Sequence, residues 1–260
     1  MTHDHSRHDD EELQQLLRTR EQEMERIALG RGGPYGQPRA HQLALIEKAR
    51  AGRSILLIAP TGGGKTLAGF LPTLTELHAH GDKARQLVST GKRMGRSEGL
   101  HTLYISPLKA LAVDIARNLE VPVAEMALPI RIETRTGDTP VSRRTRQRRD
   151  PPDILLTTPE QLALLLASAD APYLFGTLKR VILDELHALV TSKRGDLLSL
   201  GLARLFTPAP GLQTIGLSAT VAEPMDLCRY LVPQPETGTA TADLIVAQGG
   251  AAPHVIMLEP

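Results

Sequence analysis

"LLIAPTGGGKTLAGF", residues 56–70, runs from apolar residues into three glycines, a lysine and a threonine before a second apolar run begins. The first half reads as a strand buried on both faces, and the second as a helix starting near Lys65. Glycines at such a junction let backbone N–H groups converge without Cβ clashes. The helix N-terminus adds partial positive charge, and Lys65 adds a full one. This is the chemistry of a phosphate cradle. The pattern G-x-x-x-x-G-K-[ST] is completed by Gly64, Lys65 and Thr66, but Ala59 stands where its first glycine belongs. On this reading Thr61, Gly62, Gly63, Gly64, Lys65 and Thr66 bind the phosphates of ATP. Lys65 reaches the β- and γ-phosphates, and Thr66 ligates Mg2+. The alternative is a glycine-rich turn with an incidental lysine.

Working outward, apolar runs alternate with helical patterns. The runs are "SILLIA" (54–59), "HTLYIS" (101–106), "IRIET" (130–134), "DILLTT" (153–158), "RVILD" (180–184) and "QTIGLS" (213–218). Most are continuously apolar, which fits strands covered on both faces of a parallel sheet. Strand–helix–strand repetition predicts an α/β fold with a doubly wound, mostly parallel sheet.

The expected divisions are a tail and linker over 1–35, a domain over 36–231, and an extension or hinge over 232–260. Within the first, 1–10 reads as a disordered tail, 11–29 as a polar helix, and "GRGGPYGQP" as a turn-rich linker. His3, His5 and His8 suit a metal, but no partner ligands cluster beside them, so a plain polar tail is the simpler reading. A helix is expected over 38–51. Four glycines and five cations make 81–99 a mobile loop. The final stretch holds two short apolar runs, "DLIVA" and "HVIML", read as edge strands or the start of a hinge.

Composition sets bounds. The 260 residues suffice for a core without staples, and the lone Cys228 excludes an internal disulfide, so a reducing, cytoplasmic setting is expected. The start "MTHDHSRHDDEE" does not resemble a signal peptide, and no apolar run approaches the ~18 residues of a membrane span. Net charge is +1, so nucleic-acid binding must come from local charge. With no Trp and 3% aromatics, base-stacking platforms are few.

A triphosphate's magnesium needs holding from a second side. Asp184 and Glu185 follow the apolar run 181–183 at a strand's carboxyl end, where open parallel sheets bind ligands. Asp184 is assigned to Mg2+, and Glu185 to orienting and deprotonating the attacking water. The alternative is an acidic turn with Asp184 as N-cap. The cradle and the acidic pair are expected on neighbouring strands.

Seven motifs now stand in order: "PRAHQ" (38–42), "APTGGGKT" (59–66), "SPLKALAVD" (106–114), "RTGDTP" (135–140), "TTPEQL" (157–162), "DELH" (184–187) and "SAT" (218–220). Together they resemble superfamily-two DExH-box helicases. The closest likeness is to the large-helicase-related (Lhr-type) group with its DNA-ligase-associated DEXH-box members. The likeness covers about 39–231, the first RecA-like, P-loop NTPase domain of that family. It implies that Gln42 reads adenine, and that His187, Ser218, Ala219 and Thr220 couple the nucleotide site to domain movement. It also implies that Ser106, Lys109, Thr136, Gly137, Thr158 and Glu160 line a track for single-stranded DNA or RNA. The residues agree physically. Ser106-Pro107 and Thr158-Pro159 read as a cap followed by the first helical residue, with Gln161 completing a capping box, and exposed helix N-termini bind backbone phosphates. Capping alone would also explain both pairs. The arginine run "RRTRQRR" (143–149) adds phosphate attraction or is simply a solvated helix face.

The chain departs from the family in two ways. Only Tyr35 stands upstream of Gln42 where the family carries aromatic residues. The sequence also stops where a linker to a second RecA-like domain would begin. That domain supplies arginines which complete the ATP site, worth about 10³–10⁵ in rate in related systems. The expectation is therefore a helicase ATP-binding domain using ATP and Mg2+, with weak hydrolysis and no unwinding by itself. Its partners would be a nucleic-acid strand, a second RecA-like domain and DNA-repair proteins, but no membrane. The competing readings are a non-catalytic nucleic-acid-binding remnant and a small-molecule P-loop NTPase or kinase.

Overall fold

A computed structural model describes residues 39–60, 62–89, 99–125, 128 and 130–247. Seven strands form one sheet in the order β3-β4-β2-β5-β6-β1-β7, every pairing parallel. They are β1 (Ile55–Ile58), β2 (Thr102–Ile105), β3 (Ile132–Arg135), β4 (Ile154–Thr157), β5 (Arg180–Leu183), β6 (Gln213–Ser218) and β7 (Asp243–Val246). All six apolar runs become strands, and "DLIVA" supplies the edge strand β7 beside β1.

Continuous apolar runs conceal a period of two. Ile55 and Leu57 face one core with Tyr104, Ile182 and Leu217, whereas Leu56 and Ile58 face another with Leu103, Val181 and Leu183. Two cores require two helical layers. Helices α1 (Ala40–Arg50), α2 (Lys65–Ser89) and α3 (Lys109–Glu125) pack on the first face through Leu45, Phe70, Leu74 and Ile115. On the other face lie α5 (Pro159–Leu166), α6 (Ala171–Phe175), α7 (Leu186–Val190), α8 (Lys193–Leu205) and α9 (Pro224–Tyr230). Helix α4 (Val141–Arg149) follows the edge strand β3. The sheet is doubly wound, as expected.

Three expectations need correction or fall outside the described residues. The expectation of a mobile loop over 81–99 is corrected in its first half, because α2 runs on through residues 81–89; residues 90–98 lie outside the described residues. The predicted tail, polar helix and linker of 1–35, with His3, His5, His8 and Tyr35, lie outside as well, as does "HVIML". Among the described residues no helix is long and apolar enough to cross a membrane.

The amino ends of the central strands are joined by a buried polar network. Arg180, wholly buried at the start of β5, donates to Glu76 Oε1 at 2.7 Å, Gln213 Oε1 at 2.7 Å and Thr73 Oγ1 at 3.2 Å. Gln213 Nε2 in turn donates to the Ala49 carbonyl at 2.7 Å, tying α1 to the sheet. His101 Nε2 sits 3.2 Å from Glu76 Oε2. Burial pushes the Glu76 carboxyl up, but the hydrogen bonds from His101 and Arg180 outweigh it and hold it at about 2.

A carboxyl depressed on folding adds stability above its unfolded range, near 4.5, and loses that contribution as pH falls through about 2. Urea titrations from pH 7 to pH 2 should show this acid-side loss in the native chain and a shallower one in Glu76→Gln. At pH 7 the variant is expected to be less stable by about 1–2 kcal/mol, at the low end for bonds to charged groups because Glu76 is partly exposed.

Candidate active site

The residues singled out in the second and sixth motifs meet at the carboxyl edge of the sheet. At the end of β1 the chain turns through Gly62 and Gly64, both at φ 75°, into α2. A side chain at Gly64 would be strained there, and its Cβ would come 3.0 Å from Gln42 Nε2. Gly63 is needed for closeness, since a Cβ would lie 2.7 Å from the Pro60 carbonyl oxygen. Ala59 is outside the left-handed region, so an alanine fits where the sequence pattern has glycine. Thr61 lies outside the described residues. Lys65 is buried and donates to the carbonyls of Ala59 at 2.9 Å and Pro60 at 3.3 Å; Thr66, beside it, is half-buried.

Helix α1 closes one side of the loop. Gln42 is buried and accepts the Arg39 N–H at 3.0 Å. Arg39 Nη1 donates to the Gly62 carbonyl at 3.3 Å, and His41 Nε2 lies 3.0 Å from the Gly63 carbonyl. Sequence reasoning missed Arg39 and His41, although both sit inside the "PRAHQ" motif.

The acidic pair ends β5, and the expectation of neighbouring strands is corrected: β6 lies between β1 and β5. Asp184 is 3% exposed. Burial pushes its carboxyl above the usual range, against the Tyr104 hydrogen bond, the Glu185 N–H at 2.9 Å and the nearby charge of Lys65. Lys65 and Asp184 thus stand at the same carboxyl edge of the sheet, near enough for the lysine's charge to act on the carboxyl. Tyr104 is fully buried, and its hydroxyl donates to Asp184 Oδ2. Glu185 is half-exposed at φ 46°, the one non-glycine residue with positive φ among the described residues. Left-handed backbone at such a residue is strained, and strain of this kind clusters at functional sites.

The intervening strand β6 ends in Ser218, Ala219 and Thr220. The Ser218 carbonyl accepts the Ala59 N–H at 3.1 Å, and Ser218 Oγ lies 3.2 Å from His187 Nδ1. Ala219 N–H donates to the same Nδ1 at 3.4 Å. Glu185 Oε2 approaches the same nitrogen at 3.6 Å. Thr220 is exposed.

A second group of residues lines the same edge towards β3. Ser106 is buried and accepts the Leu108 N–H at 3.3 Å, but α3 begins at Lys109, two residues later than Ser106-Pro107 implies. Lys109 Nζ donates to Asp138 Oδ2 at 2.7 Å, joining α3 to the "RTGD" loop. Thr136 N–H donates to Thr139 Oγ1 at 2.9 Å, and Arg144 holds the carbonyls of Thr136 at 3.3 Å and Gly137 at 2.6 Å. Thr158 occupies the N-cap of α5 with Pro159 first in the helix, as predicted. The capping box does not form: Thr158 makes no side-chain cap bond, and Gln161 Oε1 is buried without a partner. Glu160 is instead gripped by Arg194 at 2.5 and 3.0 Å, and Arg194 also donates to the Pro107 carbonyl at 2.6 Å. The arginine run forms α4, with Arg143, Arg146 and Arg149 exposed and part of its charge paired. Arg144 serves the loop, Arg146 pairs with Glu133 at 2.6 Å, and Arg148 lies 3.5 Å from Asp170.

The DEAD/DEAH box helicase family model matches residues 39–227. The Lhr helicase/probable uracil glycosylase of Mycolicibacterium smegmatis is 46% identical over 200 residues, covering 72% of this chain and 12% of that protein. The ATP-dependent helicase Lhr-Core protein 2 of Thermococcus barophilus is 36% identical over 247 residues, 91% of this chain and 27% of its own length. The solved structure of Mycobacterium smegmatis helicase Lhr, bound to ssDNA and AMP-PNP, superposes with a TM-score of 0.67 at 37% identity. That match covers 83% of this chain and 26% of the solved one. The chain thus spans only an eighth to a quarter of the length of these relatives.

Gly64→Ala tests the cradle. The left-handed strain and the contact with Gln42 should lower stability by about 1–2 kcal/mol in denaturant titration. The same substitution should weaken nucleotide binding at least tenfold in a calorimetric titration, because the displaced Gln42 and the altered turn no longer frame the loop.

Proposed function

The chain belongs to the DEAD/DEAH box helicase family, and from that premise we propose that it is the first RecA-like domain of an Lhr-type motor, binding Mg2+-ATP and one nucleic-acid strand on a single sheet edge. One observation carries the reading. A buried lysine in a glycine turn and a buried aspartate two strands away stand at the same carboxyl edge of one parallel sheet. The residues fit a triphosphate with its metal. The Lys65 ammonium rests on neutral carbonyls, so an anionic oxygen is the stronger partner. The turn over residues 62–64 is a cradle that side chains would fill.

Gly62, Gly63 and Gly64 offer backbone N–H groups to the phosphates, with Thr61 completing the loop. Lys65 neutralises charge on them, and Gln42 recognises the base. Thr66 and Asp184 hold Mg2+, which when bound stabilises charge on the phosphoryl group being transferred to water. Glu185 orients that water and takes its proton. His187, with Ser218, Ala219 and Thr220, links this chemistry to β6 and from there to the loop of β1. Ser106, Lys109, Thr136, Gly137, Thr158 and Glu160 form the track for a single DNA or RNA strand. Helix N-termini and loop amides there suit backbone phosphates, which carry no sequence information. A second RecA-like domain closing on this edge would complete the motor. Work in cytoplasmic nucleic-acid metabolism, DNA repair included, follows from the likeness to ligase-associated members.

Three measurements test the reading. Native chain should bind Mg2+-ATP, and Lys65→Ala should weaken binding by about 10–100-fold, the value of a charge-assisted bond. Glu185→Gln should keep nucleotide binding while losing any hydrolysis that single-stranded DNA stimulates, by about 10²–10⁴. Equal hydrolysis in Glu185→Gln would overturn the assignment, and turnover indifferent to nucleic acid would favour a metabolite kinase.

A further inference from the structure

We propose that Tyr104 is a positioning residue for the metal-facing carboxylate, fixing the plane of Asp184 against the phosphate-binding helix. The proposal rests on the nucleotide reading above and adds a residue that none of the seven motifs assigns. Strands β2 and β5 are adjacent and parallel, with Tyr104 opposite Ile182, which brings the tyrosine ring beneath Asp184 two residues on. The hydroxyl donates to Oδ2, and the Glu185 N–H binds Oδ1 at 2.9 Å. Both carboxylate oxygens are therefore tied, and the group cannot rotate about its last bond.

The ring itself stacks on Phe70, with centroids 5.2 Å apart and planes at 24°. Phe70 belongs to α2, the helix that opens at Lys65. One side chain thus touches both halves of the candidate site, the helix of the cradle through its ring and the acid through its oxygen. Packing alone does not call for the hydroxyl. Tyr104 is 0% exposed among Phe70, Ile182 and Leu217 on an apolar face, where phenylalanine would fill the same space. A buried hydroxyl costs free energy unless it is bonded, and here its partner is the carboxylate. Groups that orient a metal's ligands through a second layer typically change metal affinity by about 10–100-fold when removed.

The test uses the whole chain with a fluorescent ATP analogue, titrating Mg2+ at fixed nucleotide and repeating the nucleotide titration in EDTA. Tyr104→Phe should raise the half-saturating Mg2+ concentration by about 10–100-fold while leaving the metal-free nucleotide affinity unchanged. In the Asp184→Asn background the same change should add nothing, because its effect passes through that carboxylate. An unshifted Mg2+ titration in Tyr104→Phe, or an equal loss with and without metal, shows a packing role and overturns the proposal. If native chain binds the nucleotide without any response to Mg2+, the reading of the site falls, and this proposal falls with it.

Discussion

A parallel sheet delivers the carboxyl ends of all its strands to one edge, and that constraint organises everything else in this domain. Helices on both faces block the sheet's sides, so the loops leaving the strands are where chemistry-bearing residues can converge. Lys65 follows β1, Ser106 follows β2, Thr136 follows β3, Thr158 follows β4, Asp184 follows β5, and β6 ends in Ser218. Residues scattered over more than 150 positions share one rim because they share one strand direction.

The rim has an internal order. Strand β6, entering the sheet late in the chain, separates the cradle strand from the acidic strand. Its last residue reaches both sides, with its carbonyl to Ala59 and its hydroxyl to His187. Glu185 rises from β5 into α7 in a left-handed turn that no glycine relieves. At the far side of the rim, Arg194 binds Glu160 and the Pro107 carbonyl, clamping together the starts of the segments after β2 and β4.

The sheet was legible because burial on both faces demands continuous apolar runs, and each run of this kind became a strand. The cradle and the acidic pair were legible because phosphate and metal chemistry fix residue type at short spacing. What escaped is long-range. Tyr104 meets Asp184 across 80 residues and Arg194 meets Pro107 across 87, and nothing local marks either partner. Local rules also failed where tertiary contacts outbid them. The Thr158 and Gln161 capping box is absent while Arg194 holds Glu160 in the same first turn. The glycine of residue 81 suggested a loop, yet α2 passes through it. The arginine run kept exposed charge at Arg143 and Arg149, but its other arginines meet Glu133, the loop carbonyls and Asp170, partners that no local pattern names.

At the opposite edge Arg180, Gln213 and Thr102 begin β5, β6 and β2, and their side chains are fastened to α1 and α2 through Ala49, Glu76 and Thr73. The domain is therefore built like a hand held at the wrist. Its three central strands β2, β5 and β6 are fastened where they start and lead into different loops where they finish. The side chains of the rim are therefore presented from strands whose opposite ends are fixed to α1 and α2.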